Sequence, residues 1–567
     1  MAETIRIELS DWQFNAGLVG LYNVLAHAQE TVITKEQFIE FDIDALENFA
    51  EKYLRYFIDL YNETTPWYRI VSYEATLSSH EADNFSRFDQ ESLEHLNNYI
   101  KQVKDYLTRS NYQKIFPYIN SEYDIETLVN GLKLIKVRKN ESISDYLDEV
   151  KEQFSTIRKI IEYCSSSDGM KYIAAKGVIY SVINNGWNNV SFLNRQTKEF
   201  DVYVDYHNHF VAPTIEYIKS DKTKFKYQCF NCGNKISRMS NDIAFLNQTG
   251  FDSSRKTSHV WNFANDVVIC DLCKLVYSCL PAGFVYAYNY GIFVNSNASA
   301  DDLIRVNRKF RDDVLKTDNQ KRSFTYRALV NAITEKERAK VQYELQDVQV
   351  IRYENEKYRF NILSKDILRV IRDSKKELDT LLNAGYREVR TYFSVYDLVM
   401  DNLLNNYNLF TLIHKLLVYS ITKSQSIETY YHMGHVMSLN LINVNYLKGV
   451  DGVDKGNVNE HRDLVQKARA YGYYLRQDYL EKDRDADKNK IRGISYRLLN
   501  ALKTRNSEMF MHNIITSYMF VGKPIPSKLT LALEDDEMLG IVGYAFVTGL
   551  NGGEHSAHLN GGDNNES

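Results

Sequence analysis

Four cysteines carry the clearest chemistry in this sequence. Cys229 and Cys232 stand in the run CFNC, and Cys270 and Cys273 in CDLC, with 37 residues between the pairs. A Cys-x-x-Cys turn brings two thiolates within about 3.5–4 Å, and two such turns complete a tetrahedral site for zinc. Gly233 follows the first pair and suits a tight knuckle. The alternatives are two unrelated pairs of buried thiols or a redox pair, and no thioredoxin-like βαβ pattern supports the latter. Four thiolates leave no coordination position for water, so the expected Zn2+ is structural. A zinc deaminase would need His-x-Glu upstream and proline before the second pair. Ile269 precedes Cys270, and His207 and His209 in DYHNHF read as surface or core histidines on a strand. Phosphate-binding loops, nucleophile elbows and His-Glu-x-x-His are all absent.

The elements that position these cysteines change character along the chain. At 567 residues, with 44% hydrophobic and 25% charged, the chain has the composition of a globular protein of several domains. The fold class expected is α+β, mainly helical. Residues 1–170 read as a helical N-terminal region, with Leu46, Phe49, Tyr53, Phe57 and Leu60 at helical spacing. Residues 171–300 read as a mixed region holding the zinc module, with strands expected at Gly177–Ile183, Phe200–Tyr206, Val267–Ile269 and Gly283–Val294. Residues 301–430 return to helix, with a short β insert near Val348–Phe360. A polar link at 449–460 lies within a C-terminal helical bundle over 431–550, where Ile491, Ile494, Leu498 and Leu502 form one stripe. Residues 551–567 read as a disordered tail.

Charge is unevenly placed. Residues 1–50 carry two basic and nine acidic residues, whereas 462–505 carry twelve basic and six acidic, in a chain of net charge −5. A basic segment in an acidic chain suggests local contact with a polyanion. The N-terminus has neither the basic nor the apolar region of a secretory signal, and the run 538–550 is too short to span a bilayer. A cytoplasmic protein without a membrane partner is expected.

Five runs occur in order: DWQFNAGLVGL (Asp11–Leu21), INNGWNNVSFLNR (Ile183–Arg195), the paired cysteines, CLPAGFVYAYNYGIFVN (Cys279–Asn295) and LGIVGYAFVTGLNG (Leu539–Gly552). Together they resemble the large subunit of the CRISPR type I-B Cascade complex, in the subfamily with a zinc-binding insert. The resemblance implies a non-catalytic part of an RNA-guided surveillance complex. That subunit reads the protospacer-adjacent motif in duplex DNA, promotes R-loop formation and helps recruit a helicase-nuclease. Its partners would be the guide RNA, the target duplex and the other Cascade subunits (backbone, guide-processing and small). Its C-terminal helical domain would resemble the small subunit.

Two stretches fit that role on their own chemistry. In the asparagine loop, Asn184, Asn185, Gly186, Trp187, Asn188 and Asn189 make a turn open to close approach. Trp187 and Phe192 offer a wedge, and Arg195 and Lys198 offer phosphate anchors. The alternative is a surface turn with Trp187 in the core. In the C-terminal segment, Arg469, Arg476, Lys488, Lys490, Arg492, Arg497, Lys503 and Arg505, with Tyr471, Tyr474 and Tyr496 among them, suit a strand path. The alternative is a solvated helix face. A nuclease with structural zinc and a zinc-containing scaffold are the competing functions.

Overall fold

The computed structural model describes residues 3–138, 141–249, 267–287, 290–296, 299–315, 348–354, 356–422, 426–450, 455–482 and 486–552. It is α+β and mainly helical, with several small sheets. The chain forms two compact units, Met1–Arg308 with Ile351–Arg359, and Lys309–Val350 with Phe360–Ser567.

The first unit is organised around the N-terminal helix Trp12–His27. Asp11 starts it, its Oδ1 accepting from the N–H groups of Gln13 and Phe14 at 2.8 and 3.1 Å. The strand Thr4–Glu8 precedes this helix and pairs antiparallel with Phe38–Asp42, placing Ile5, Ile7, Ile39 and Phe41 in the core. The helix is buried over most of its surface because Gly17 and Gly20 let a neighbouring backbone approach. A methyl on Gly20 would lie 1.9 Å from the carbonyl oxygen of Cys279, and one on Gly283 would lie 2.0 Å from that of Ala16. Gly20→Ala therefore forces two backbones apart. It is expected to destabilise the first unit by about 2–3 kcal/mol, read as a lower urea midpoint. Gly131→Ala is the control, since a methyl there meets nothing within 4 Å.

The expected helix at Leu46–Leu60 is present as Phe49–Tyr61, with Phe49, Tyr53 and Phe57 buried. Two expected strands are helices. Gly177–Ile183 falls largely on the helix Ala175–Ser181, and Phe200–Tyr206 contains the helix Val202–Tyr206. The β-branched residues suggested a strand, but Val178, Ile179 and Val182 are buried at helical spacing. The second helix is opened by Asp201, which accepts from Tyr203 and Val204. Val267–Ile269 makes only an isolated bridge, Val268 with Asp242. The single strand expected at Gly283–Val294 is instead two antiparallel strands, Val285–Ala287 with Tyr290–Ser296 in the register Val285↔Ile292. The β insert is present as Val348–Glu354 and Lys357–Leu363, in one four-stranded sheet with that hairpin.

The second unit is built around the helix Asp536–Leu550, buried from Met538 onward. Four glycine contacts surround it. Gly540 meets the Phe410 ring, Gly543 meets Leu502, Gly549 meets the Arg469 backbone, and Gly472 meets the Phe546 backbone. Ile491, Ile494, Leu498 and Leu502 are buried as the stripe requires. The polar link is shorter than expected, because helix Met433–Val450 runs to 450 and helix Lys455–Lys482 starts at 455. A three-stranded antiparallel sheet places Gly385–Glu388 between Thr391–Ser394 and Ile427–Tyr430. Residues 553–567 of the expected tail lie outside the described residues.

Candidate metal centre and the loop it carries

The first cysteine pair sits at the end of a two-stranded ribbon, Tyr227–Gln228 with Lys235–Ile236. The knuckle is closed by Gly233 N–H donating to the Cys229 carbonyl at 2.9 Å and Cys229 N–H donating to Asn234 at 2.8 Å. Gly233 has φ +69°, the left-handed region that glycine enters without strain. The second pair opens the helix Asp271–Ser278. Cys270 is its N-cap, its Sγ accepting from Cys273 N–H at 3.4 Å.

The four sulfurs lie within 4.8 Å of one another. Cys229 Sγ is 3.8 Å from Cys273 Sγ, and Cys232 Sγ is 3.7 Å from Cys270 Sγ. A tetrahedron with metal–sulfur bonds of about 2.3 Å has edges of about 3.8 Å, so the cluster has the dimensions of a tetrathiolate metal site. Cys229, Cys270 and Cys273 are buried. Hydrogen bonds from Cys232, Cys270 and Cys273 hold Cys229 far below the ordinary thiol range. Those with Cys229 and Cys232 push Cys270 up, and Cys273 is raised as well. The cluster by itself thus favours a mixture of thiol and thiolate, and full ionisation calls for a cation at its centre.

An outer shell, not visible in the spacing, ties the centre to the N-terminal helix. Asn231, inside the first knuckle, donates from Nδ2 to Cys273 Sγ at 3.6 Å. Its Oδ1 accepts from the Ser10 hydroxyl at 2.8 Å. The Tyr277 hydroxyl donates to Asp11 Oδ2 at 3.0 Å, and burial raises its pKa well above the usual phenol value. Partners two bonds from the thiolates fix their orientation. His207 and His209 lie on a helical segment, not a strand. Burial lowers the His209 pKa to about 4.

The same module carries the asparagine loop. Trp187 is fully buried, and its Nε1–H donates to the carbonyl of Ser278, the last residue of the helix that Cys270 opens, at 2.9 Å. The Tyr53 hydroxyl donates to the same carbonyl at 2.8 Å. Phe192 and Phe210 flank the indole with centroids at 5.1 and 5.3 Å. Trp187 and Phe192 are therefore internal anchors, which corrects the expectation of an external wedge. Gly186 is also buried, since a methyl there would lie 2.5 Å from Pro281 Cγ. Asn184, Asn189, Arg195 and Lys198 are exposed, and Asn185 and Asn188 are half-buried. Asn247 braces the loop, donating from Nδ2 to the Asn184 carbonyl at 2.7 Å and from its N–H to Gly186 at 3.0 Å.

The C-terminal basic residues are not one uniform stripe. Arg492, Tyr496 and Lys503 share an exposed face of the helix Ala486–Lys503, beside exposed Arg497. Arg492 Nε also donates to the Ile421 carbonyl at 2.7 Å. Arg505 pairs with Asp536 at 3.3 Å, and Lys490 lies 5.3 Å from the Phe520 ring centroid. Arg469 and Arg476 are half-buried on the preceding helix, where Tyr474 is exposed. The Lys488 side chain lies outside the described residues.

Among the described residues no helix is long and apolar enough to cross a membrane. No curated protein and no solved structure matches this chain. Residues 222–285 match a family model described as CRISPR-associated protein (Cas_CXXC_CXXC). The match brackets both cysteine pairs and the helix Asp271–Ser278, leaves the asparagine loop outside it, and supports a CRISPR-associated family member.

Proposed function

We propose that this chain is the non-catalytic large subunit of a type I-B Cascade complex, and that it reads the protospacer-adjacent motif in duplex DNA. The observation that carries the reading is the match over residues 222–285, in which both cysteine pairs of the CRISPR-associated family stand on a geometrically complete tetrathiolate site. The metal is Zn2+, the borderline-soft cation for which four thiolates at this spacing are suited, and its role is structural. Asn184 and Asn189 present amides at the exposed edge of the loop, with half-buried Asn185 between them donating to the Ser181 carbonyl at 3.1 Å, and these amides can pair with acceptors on base edges. Arg195 and Lys198 supply phosphate contacts that position the duplex without reading it. Arg492, Arg497 and Lys503, with Tyr496 between them, suit a path for displaced single strand during R-loop formation. The guide RNA and the backbone, guide-processing and small subunits complete the particle in the cytoplasm, and a helicase-nuclease recruited to it makes the cuts. Sequence reading of this kind divides the labour between protein and base pairing.

The test uses the chain assembled with its guide RNA and partner subunits. Asn184→Ala with Asn185→Ala is expected to reduce discrimination between target duplexes with and without the flanking motif about ten-fold, and to change folding stability by less than about 0.5 kcal/mol. Equal discrimination in the variant overturns the assignment of the loop. Mg2+-dependent DNA cleavage by the chain alone overturns the non-catalytic reading and favours the nuclease.

A further inference from the structure

The ribbon that delivers the first cysteine pair has an outer face that the metal does not use. Residues 222–241 contain five basic residues and no acidic one, in a chain of net charge −5. The ribbon register pairs Tyr227 with Ile236 and Gln228 with Lys235. Alternation along a strand then sets Lys226, Gln228, Lys235 and Ser237 on the side opposite buried Ile236, and all four are exposed. Lys224 and Arg238 flank them and are exposed too, and none of Lys224, Lys226, Lys235 and Arg238 forms an ion pair with a described residue.

Between the cysteines stands Phe230, 63% exposed, while Tyr227, 43% exposed, lies on the Ile236 side of the ribbon. The backbone under Phe230 is fixed, its N–H donating to the Val268 carbonyl at 2.7 Å. A large aromatic ring is thus held in water on a fixed backbone, at the end of a ribbon whose exposed lysines form no ion pair with a described residue. A divalent ion with four thiolates leaves two negative charges, which two lysines would offset, so five basic residues exceed what the metal requires. A positive face favours a polyanion over an apolar protein surface. A ring needs an open base to stack on, which a duplex hides and a single strand offers.

We propose that this face binds single-stranded nucleic acid, with Phe230 stacked on an unpaired base and Lys226 and Lys235 on the phosphates either side. The site is separate from the asparagine loop and does not depend on reading a flanking motif.

The test uses the full-length, metal-loaded chain with fluorescent oligo-dT, oligo-U and a 20-base-pair duplex as probes. Phe230→Ala is expected to weaken single-strand binding about ten-fold while leaving the salt dependence unchanged. Lys226→Glu with Lys235→Glu is expected to weaken it and to flatten the slope of log K against log salt by about 1.4, two phosphate contacts at about 0.7 each. A 5-iodouracil oligomer should crosslink to the peptide containing Phe230, located by mass spectrometry. The oligo-dT and oligo-U arms decide whether the strand is DNA or RNA, and preference for either supports the site. Unchanged metal content shows that the knuckle survives each substitution, and Phe230→Leu, which keeps the apolar bulk, should still lose most of the stacking. Unaltered binding in the alanine and glutamate variants, wild-type affinity in the leucine variant, or equal affinity for duplex with crosslinks elsewhere overturns the proposal. Asn184→Ala with Asn185→Ala should leave oligomer binding intact, so failure here and failure of motif reading are separable.

Discussion

Cys270→Ser is expected to abolish stoichiometric metal binding and to lower the melting temperature of the first unit by roughly 6 °C or more, from a loss of about 4 kcal/mol or more. Two losses coincide at this residue, a ligand and the balance of its buried neighbours, while its capping role can survive. Its sulfur is one of the four ligands and stands 3.7 Å from Cys232 Sγ. The same sulfur caps the helix Asp271–Ser278 by accepting from Cys273 N–H. Cys229 and Cys273 would be left buried beside it with no cation to balance their ionised forms. A serine hydroxyl can keep the cap but is a poor ligand for a soft site. Because Ser278 closes that helix and receives Trp187 and Tyr53, the disturbance should reach the asparagine loop. Chelator-treated wild type should melt like the variant. Cys164→Ser, at a buried thiol outside the cluster, should keep the metal. Elemental analysis and thermal melts check both points. One equivalent of metal retained in Cys270→Ser with an unchanged melt would dismiss the tetrathiolate centre.

How much of this was legible in the residues depended on how local the cause was. The cysteine site was readable because tetrahedral thiolate coordination tolerates few spacings, and CFNC and CDLC satisfy it within four residues each. The stripe Ile491, Ile494, Leu498 and Leu502 was readable because one buried face repeats with the helix. Ala175–Ser181 reads as a strand in sequence because its buried stretch, 175–179, is continuous and only Tyr180 and Ser181 are exposed, too short a helix to display its period. The outer shell was invisible for a different reason. It joins Ser10 and Asp11 to Asn231 and Tyr277, more than 200 residues apart, and no local pattern encodes such a pairing. Asn231 nevertheless carried a signal, as a polar residue between two metal ligands, where second-shell donors are needed. The ribbon lysines were equally visible as a run without acids, but their joint exposure with Phe230 required the strand register.

Trp187→Ala separates the two readings of the asparagine loop most sharply. The indole is fully buried, packs against Phe192 and Phe210, and donates to Ser278. Truncation removes about nine side-chain heavy atoms from a packed site and is expected to cost about 3–5 kcal/mol. Trp187→Phe keeps an aromatic filler and loses the N–H donor. The Ser278 carbonyl still accepts from Tyr53, so that change should cost about 1–2 kcal/mol. A wedge inserted between base steps would behave in the opposite way. Its removal would spare folding and lower duplex affinity, because an exposed ring contributes little to the core. Chemical denaturation of the chain alone, set beside duplex binding by the assembled particle, therefore assigns the residue. A stability loss shared by Trp187→Ala and Cys270→Ser, but absent from Asn184→Ala with Asn185→Ala, means that the loop is held from within and reads from its rim. If Trp187→Ala melts like wild type, the indole is not the pin that fastens the loop to the metal module. The route from thiolates through Ser278 to the asparagines would then be broken at its middle step.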